Sequence, residues 1–454
     1  MTDALWLETA LLADGWADRV RIWHEDGRIS AVQTGVDPEA GEERVAIGVP
    51  GLANIHSHAF QRGMAGLAES RGRPDDDFWS WREVMYRFID RLDPDDVEAI
   101  AALAFAEMLE SGFTRVGEFH YLHHDRDGRP YADPAELAAR IASAASATGI
   151  GLTLLPVFYA HSGFGGTAPT QGQRRFIHDL DGFARLVEGA REACAALPDA
   201  VVGVAPHSLR AVTPQELEIL TTLAPRAPVH IHIAEQLREV EDCLAWSGQR
   251  PVDWLLNHAP VDARWCLVHA THVTEAETLA MAASGAVAGL CTVTEANLGD
   301  GIFPAADYLA AGGAFAVGSD SNILISAADE LRTLEYAQRL SRRARNVLST
   351  ERRASTGRNL FDGALAGGGQ ALGVAGTGLA IGAPLDLVGL DATHPSLIGR
   401  RGDALLDGWI FAGRAGVIDG VWRSGRKMVS EGRHVGMAAI AARYRRTLEK
   451  VLVD

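Results

Sequence analysis

The chain has 454 residues, of which 47% are hydrophobic and 22% charged, a composition that buries a large core and excludes a disordered protein. Its formal net charge of −17 argues against nucleic acid or an anionic membrane surface as a partner. The same field requires that any anionic substrate be met by particular arginines.

The longest apolar runs fall short of the roughly 18 to 20 residues a membrane span needs. The start, MTDALWLETALLADG, carries acids and no basic segment, so no secretory signal is expected there. Cys194, Cys243, Cys266 and Cys291 lie far apart with no CxxC pair, as expected of reduced, buried thiols in a cytoplasmic protein. Lysine occurs only at Lys427 and Lys450.

From the N-terminus, ALWLETALLADG and DRVRIWHEDGRISAVQTG predict short strands joined by turns. A matching pattern returns in PLDLVGLDAT and GVIDGVWRSGRKMVSEG, so residues 1–48 and 377–434 are expected to build one small β-sandwich domain. Between them, residues 49–376 alternate short apolar runs with helical stretches such as DPDDVEAIAALAFAEMLESG. Eight candidate strands follow in order: GLANIHSH, TRVGEFHY, GLTLLPVFY, VVGVAPHSL, VHIHIAE, WCLVHATH, AVAGLCTV and AFAVGSDSN. Such alternation predicts an α/β fold, a (β/α)8 TIM barrel. The competing open doubly wound sheet lacks its GxGxxG turn. The last stretch, 435–454, has helical periodicity.

Polar residues gather at the C-terminal ends of these strands: His56 and His58, Tyr121, His207, His232 with Glu235, His269, and Asp320. That rim is where barrel enzymes keep their active sites. His56 and His58 are two apart and project to one side of a strand. An HxH alone does not define a metal site. Joined by His232, His269 and Asp320 it offers imidazoles and a carboxylate suited to Zn²⁺ or Fe²⁺, with a position open for water.

On PGLANIHSH, HIAE, VHATH and GSDS the whole chain resembles the amidohydrolase superfamily. The resemblance implies that His56, His58, His232 and Asp320 hold one divalent metal ion. It assigns Glu235 and His269, with Asp320, to acid–base work and to orienting hydroxide. Binuclear members commonly bridge their metals with a carbamylated lysine on the fourth strand; VVGVAPHSLR has none, so a mononuclear site is expected. A divalent ion lowers the pKa of bound water from about 15.7 towards 7. Strict strand parity turns Glu235 away from His232, so the chain must bend there for its carboxylate to reach the metal and serve a leaving nitrogen.

Within that superfamily HAFQRGMAGLAE, WSWREVMYRF, GEFHYLHH and APHSLRAVTP are most similar to the formimidoylglutamate deiminases. The similarity implies hydrolysis of N-formimidoyl-L-glutamate to N-formyl-L-glutamate and ammonia in histidine breakdown, by a cytoplasmic homodimer. It places Gln61, Arg82, Tyr121, His207 and Arg210 on the substrate. A small amidine with two carboxylates suits this set, because arginine grips a carboxylate with a two-pronged fork. The alternatives are deamination of a purine, pterin or related heterocycle, which would call for stacking aromatics, and an inert scaffold, which would have lost ligands. Arg62 is expected in a structural ion pair and His230 in the core. His120, His123 and His124 are expected to be solvated or structural, His161 is a weak candidate for a mobile lid, and His272 has no evident role.

Overall fold

A computed structural model describes residues 3–70, 76–351 and 353–452. Its first four strands, β1 (Asp3–Leu12), β2 (Gly15–Glu25), β3 (Arg28–Gln33) and β4 (Glu43–Pro50), come from the N-terminal segment. The next nine carry the predicted alternation: β5 (Leu52–Ser57), β6 (Phe113–His120), β7 (Gly151–Phe158), β8 (Val201–Val202), β9 (Ala205–Pro206), β10 (Val229–Ile233), β11 (Trp265–His269), β12 (Val287–Leu290) and β13 (Ala314–Val317). The last four are β14 (Leu387–Leu390), β15 (Ile418–Arg423), β16 (Arg426–Ser430) and β17 (Arg433–His434). Each predicted run contains strand; VVGVAPHSL is split into two short pieces, β8 and β9, which both pair with β7.

The fold is α/β with parallel sheets. One sheet pairs β5, β6, β7 and β8, the other β10 to β13, all in parallel. β6, β7, β10 and β11 are buried along their length because helices cover them, which is why they read as continuous apolar runs. Backbone bonds join the two sheets at both seams. His230 N–H reaches Val204 O at 3.2 Å and His232 N–H reaches His207 O at 3.0 Å. On the far side Asp320 N–H reaches His56 O, and His58 N–H reaches Asp320 O, both at 2.9 Å.

Both chain ends supply one eight-stranded sheet in the order β17-β16-β15-β14-β4-β1-β2-β3. The early strand β4 lies parallel to β1 on one side and antiparallel to β14 on the other. Its apolar face clusters Leu7, Val20, Ile22, Val45, Leu387 and Trp422. The 377–434 stretch also holds a helix, Asp403–Ala412. The terminal helix Met437–Val451 docks on the helix Pro94–Glu110 through Lys450 on Asp96, at 2.8 Å, and Arg443 on Glu98, at 2.5 Å. No helix among the described residues is long and apolar enough to cross a membrane. The four cysteines are free and buried.

Candidate active site

His56, His58, His232 and Asp320 converge, with ligand atoms all within 4.8 Å of one another. His58 Nδ1 lies 2.9 Å from Phe119 O, and His232 Nδ1 lies 3.1 Å from His207 O. A carbonyl only accepts, so both Nδ1 atoms carry the proton and both Nε2 atoms present lone pairs. These lone pairs face His56 Nε2 at 3.2 and 3.0 Å, with Asp320 Oδ1 3.2 Å from His58 Nε2. One proton on His56 cannot serve all three neighbours, whereas a cation among them can. The donor set therefore fits a metal ion.

The segments that bring these residues together are locked by a buried amide–hydroxyl net. Asn54 Oδ1 accepts the N–H of Ser319 at 3.0 Å, and the Ser319 hydroxyl bonds Asn322 Oδ1 at 2.6 Å. Asn322 Nδ2 in turn reaches Ser57 Oγ, His58 O and Asp320 O at 3.1 to 3.2 Å. Asp320 and Asn322 both have positive φ, 45° and 56°, and this net is what holds that strain. Gly318 allows the close approach: a Cβ there would sit 2.8 Å from the backbone of His56.

Glu235 is turned inward against strand parity, by a bend at Ala234. Ala234 takes φ 49°, and the Glu239 carboxylate accepts the N–H of Ala234 at 3.2 Å and of Glu235 at 3.3 Å. The Glu235 carboxylate then lies 3.8 Å from His269 Nε2, which is 3.9 Å from Asp320 Oδ2. His269 has φ 68°, and its Nδ1 is held by Glu295 at 3.2 Å.

Burial lowers the pKa of His56 to about 3 and that of His232 well below the usual value, keeping both imidazoles neutral. Burial pushes Glu235 upward, as a group that carries a proton needs. At Asp320 burial acts upward too, but its imidazole neighbours hold the carboxyl well below its ordinary range. For His269 burial opposes the charge, and the carboxylates of Glu235, Glu295 and Asp320 override it, raising the pKa to about 10.

A narrow cavity of about 60 Å³ opens on His58, His232, Glu235, His269 and Asp320, and it is also lined by Gln61, Arg82, Tyr121, His207 and Arg210. All five residues placed on the substrate thus share one space. Gln61 Nε2 donates to the Tyr121 hydroxyl at 2.7 Å, and that hydroxyl, buried rather than at a wet rim, lies 3.3 Å from Met85 Sδ. Arg210 is buried, and its Nε has no partner among the described residues. Arg82 stacks on Trp79 and Tyr86.

The other histidines and Arg62 lie off the cavity. Arg62 is paired with Glu107 at 2.7 Å, and His230 Nε2 meets Ala371 O at 2.7 Å in the core. His161 is tied to Glu216 at 3.0 Å. His272 bonds Ala234 O through its N–H, and its imidazole meets the backbone of Asp300. His120, His123 and His124 are buried and clustered with His178, so they are structural and not solvated.

Glu239 and Glu295 escaped the sequence reading; a carboxylate on the buried face of a helix was the only signal. The walls also hold Phe78, Trp81, Tyr86, Tyr159 and Phe176, more aromatic surface than a diacid was expected to need.

Residues 47–428 match the amidohydrolase family, and residues 2–46 match the N-terminal domain of formimidoylglutamate deiminase HutF. A formimidoylglutamate deiminase of Pseudomonas aeruginosa is 51% identical over 451 residues, 99% of each chain. A 5-methylthioadenosine/S-adenosylhomocysteine deaminase of Natronomonas pharaonis is 27% identical and covers 82% of this chain and 79% of its own. The crystal structure of an amidohydrolase from Brucella melitensis superposes with a TM-score of 0.97 at 57% identity, covering 99% of this chain and all of that one. With a metal-ready histidine–aspartate cluster at the strand ends and matches along its whole length, the chain belongs to the amidohydrolase family, in the branch that carries the HutF N-terminal domain.

Proposed function

We propose that this chain is a formimidoylglutamate deiminase, hydrolysing N-formimidoyl-L-glutamate to N-formyl-L-glutamate and ammonia. The observation that carries the reading is the pairing, in one cavity, of the Glu235 carboxylate with two arginines, Arg82 and Arg210, that form no ion pair among the described residues. The substrate has the reverse polarity, an amidine at one end and two carboxylates at the other.

Arg82 and Arg210 hold the carboxylates by charge-assisted forks, while Gln61, Tyr121 and His207 orient the chain between. His56, His58, His232 and Asp320 would hold a divalent cation, Zn²⁺ or Fe²⁺, which would supply the charge that makes a neutral-pH water nucleophilic. His269 Nε2 orients that water and Asp320 Oδ2 accepts its proton. Oxygen bonds to the amidine carbon, the bond to the terminal nitrogen breaks, and Glu235 passes protons to that nitrogen. Counted from the neutral amidine, both protons of the water leave on ammonia.

The two parallel sheets, bonded at both seams, are read as one closed eight-stranded barrel over 49–376. Contacts such as the Arg28–Pro384 bridge support reading the terminal sheet, from 1–48 and 377–434, as a sandwich folded on itself, with 435–454 as an appended helix. From the family the reading carries a cytoplasmic homodimer acting in histidine breakdown, whose mass light scattering measures.

The aromatic walls favour a second reading, deamination of a heterocycle. Arg82 and Arg210, two cations lining the same cavity, favour the linear diacid over a neutral ring. An ammonia-release panel separates the two. Wild type turns over formimidoylglutamate and not purines or pterins, Glu235→Gln abolishes turnover, and Arg210→Met acts mainly on KM. No ammonia from formimidoylglutamate, or equal turnover by the Glu235 variant, removes the proposal.

A further inference from the structure

Trp79, on the helix Phe78–Ile89, meets three guanidinium groups at once. Arg82 Cζ lies 4.5 Å from an indole ring centroid, Arg238 Cζ 4.9 Å and Arg210 Cζ 5.6 Å. Arg82 and Arg210 line the cavity; Trp79 and Arg238 stand outside its lining, and Arg238 is exposed to solvent.

Nothing in its own helix accounts for Arg238. It sits in the first turn of Leu237–Ser247, where the positive end of the helix dipole disfavours a cation. The carboxylate paired with it, Asp242, is 3.7 Å away, and the two side chains are 64% and 53% exposed, too open for the pair to fix either. Three like charges around one indole repel each other, and the face of the ring offsets only part of that cost. The chain as a whole carries −17 and repels a dianion. A row of cations leading inward is the local field such a ligand needs to approach.

We propose that Arg238 is the outer receptor for a dicarboxylate. It takes up a substrate carboxylate at the mouth, and Trp79 aligns it with Arg82 and Arg210, to which the anion passes. The proposal rests on the diacid substrate argued above and adds a residue that governs capture, not chemistry.

The test compares wild type with Arg238→Gln and Arg238→Glu at low and high ionic strength, with formimidoylglutamate and with formamidine, which has the amidine and no carboxylate. At low salt Arg238→Gln lowers kcat/KM for formimidoylglutamate by about 3- to 10-fold, Arg238→Glu lowers it further, and the loss falls on kcat/KM rather than kcat. At about 0.5 M salt, where screening acts within a few ångströms, the three proteins converge. Formamidine turnover is alike in all three. Equal kcat/KM at low salt, a loss that persists at high salt, or an equal loss with formamidine overturns the proposal. If wild type releases no ammonia from formimidoylglutamate, the substrate reading itself has failed. Glutarate association followed by indole fluorescence then decides: a slower rate in Arg238→Gln upholds dicarboxylate capture, and an unchanged rate ends it.

Discussion

The carboxylate of Glu239 accepts the backbone N–H groups of Ala234 and Glu235, so one buried acid sets the direction of another. The bend at Ala234 gives Glu235 its view of the site, and Glu239 is the group that stabilises the bend. Glutamine at 239 can accept only one of the two N–H groups and turns its amide on the other. Glu239→Gln is therefore expected to lower kcat by about 10- to 100-fold, the cost of a misplaced catalytic group. Bound metal and affinity for glutarate stay as in wild type. A variant that keeps full kcat, or loses its metal, would show that Glu239 does not act through Glu235.

Removing the metal tests the ligand cluster directly. Dialysis against a chelator is expected to abolish ammonia release, and titration with Zn²⁺ or Fe²⁺ to restore it at about one equivalent per chain, as for a single site with three histidines and an aspartate. The loaded protein melts higher, by linkage of about 4 kcal/mol at a free metal concentration near 1,000 times Kd. Restoration that needs two equivalents would contradict a mononuclear centre.

Asn322 donates to Ser57, His58 and Asp320 from one amide nitrogen. Asn322→Ala takes one bond from each of those acceptors and leaves the Ser319 O–H without its acceptor, and the expected loss is about 1 to 3 kcal/mol. Urea midpoints measure it. Asp320 and His58 then lose their fixed separation, so metal affinity falls along with stability. An unchanged midpoint would mean that water replaces the amide at no cost.

Much of the site was readable because its chemistry falls at strand ends. HxH, HIAE and GSDS each put a ligand at or just past the end of a buried strand, where the apolar pattern stops abruptly. The fourth strand was legible only as one run, since nothing in VVGVAPHSL marks the break between β8 and β9. Glu239 and Glu295 were not legible, because an acid inside an amphipathic helix has the same spacing whether it faces water or caps a turn. The aromatic walls were missed for a different reason: aromatics were expected to stack on a substrate ring, yet Tyr86 stacks on Arg82.

His120, His123 and His178 give a pH dependence of stability. Burial lowers His120 and His178 to about 3 and His123 well below its usual value, against about 6.5 in the unfolded chain. Below pH 6.5 the unfolded chain takes up protons that the folded one refuses. The stabilisation is thus complete above 6.5 and is lost as pH falls towards 3, at up to about 1.4 kcal/mol per pH unit for each group. Neither ring nitrogen of His120 has a partner among the described residues, so leucine there removes a proton site and no hydrogen bond. Metal-loaded His120→Leu should lose Tm less steeply than wild type between pH 6.5 and 4.5. Parallel curves would assign the acid lability elsewhere.

The placement of β4 between β1 and β14 has a consequence for biogenesis. As the polypeptide leaves the ribosome, β4 has one neighbour at once and must wait for the other until the catalytic half has been made. Its open edge is a template for a stray strand throughout that interval. Refolding from denaturant should therefore show its slowest, most concentration-sensitive step in joining the two ends, with the metal cluster assembling earlier. Trimming the last strands would leave a competent centre on a body that aggregates.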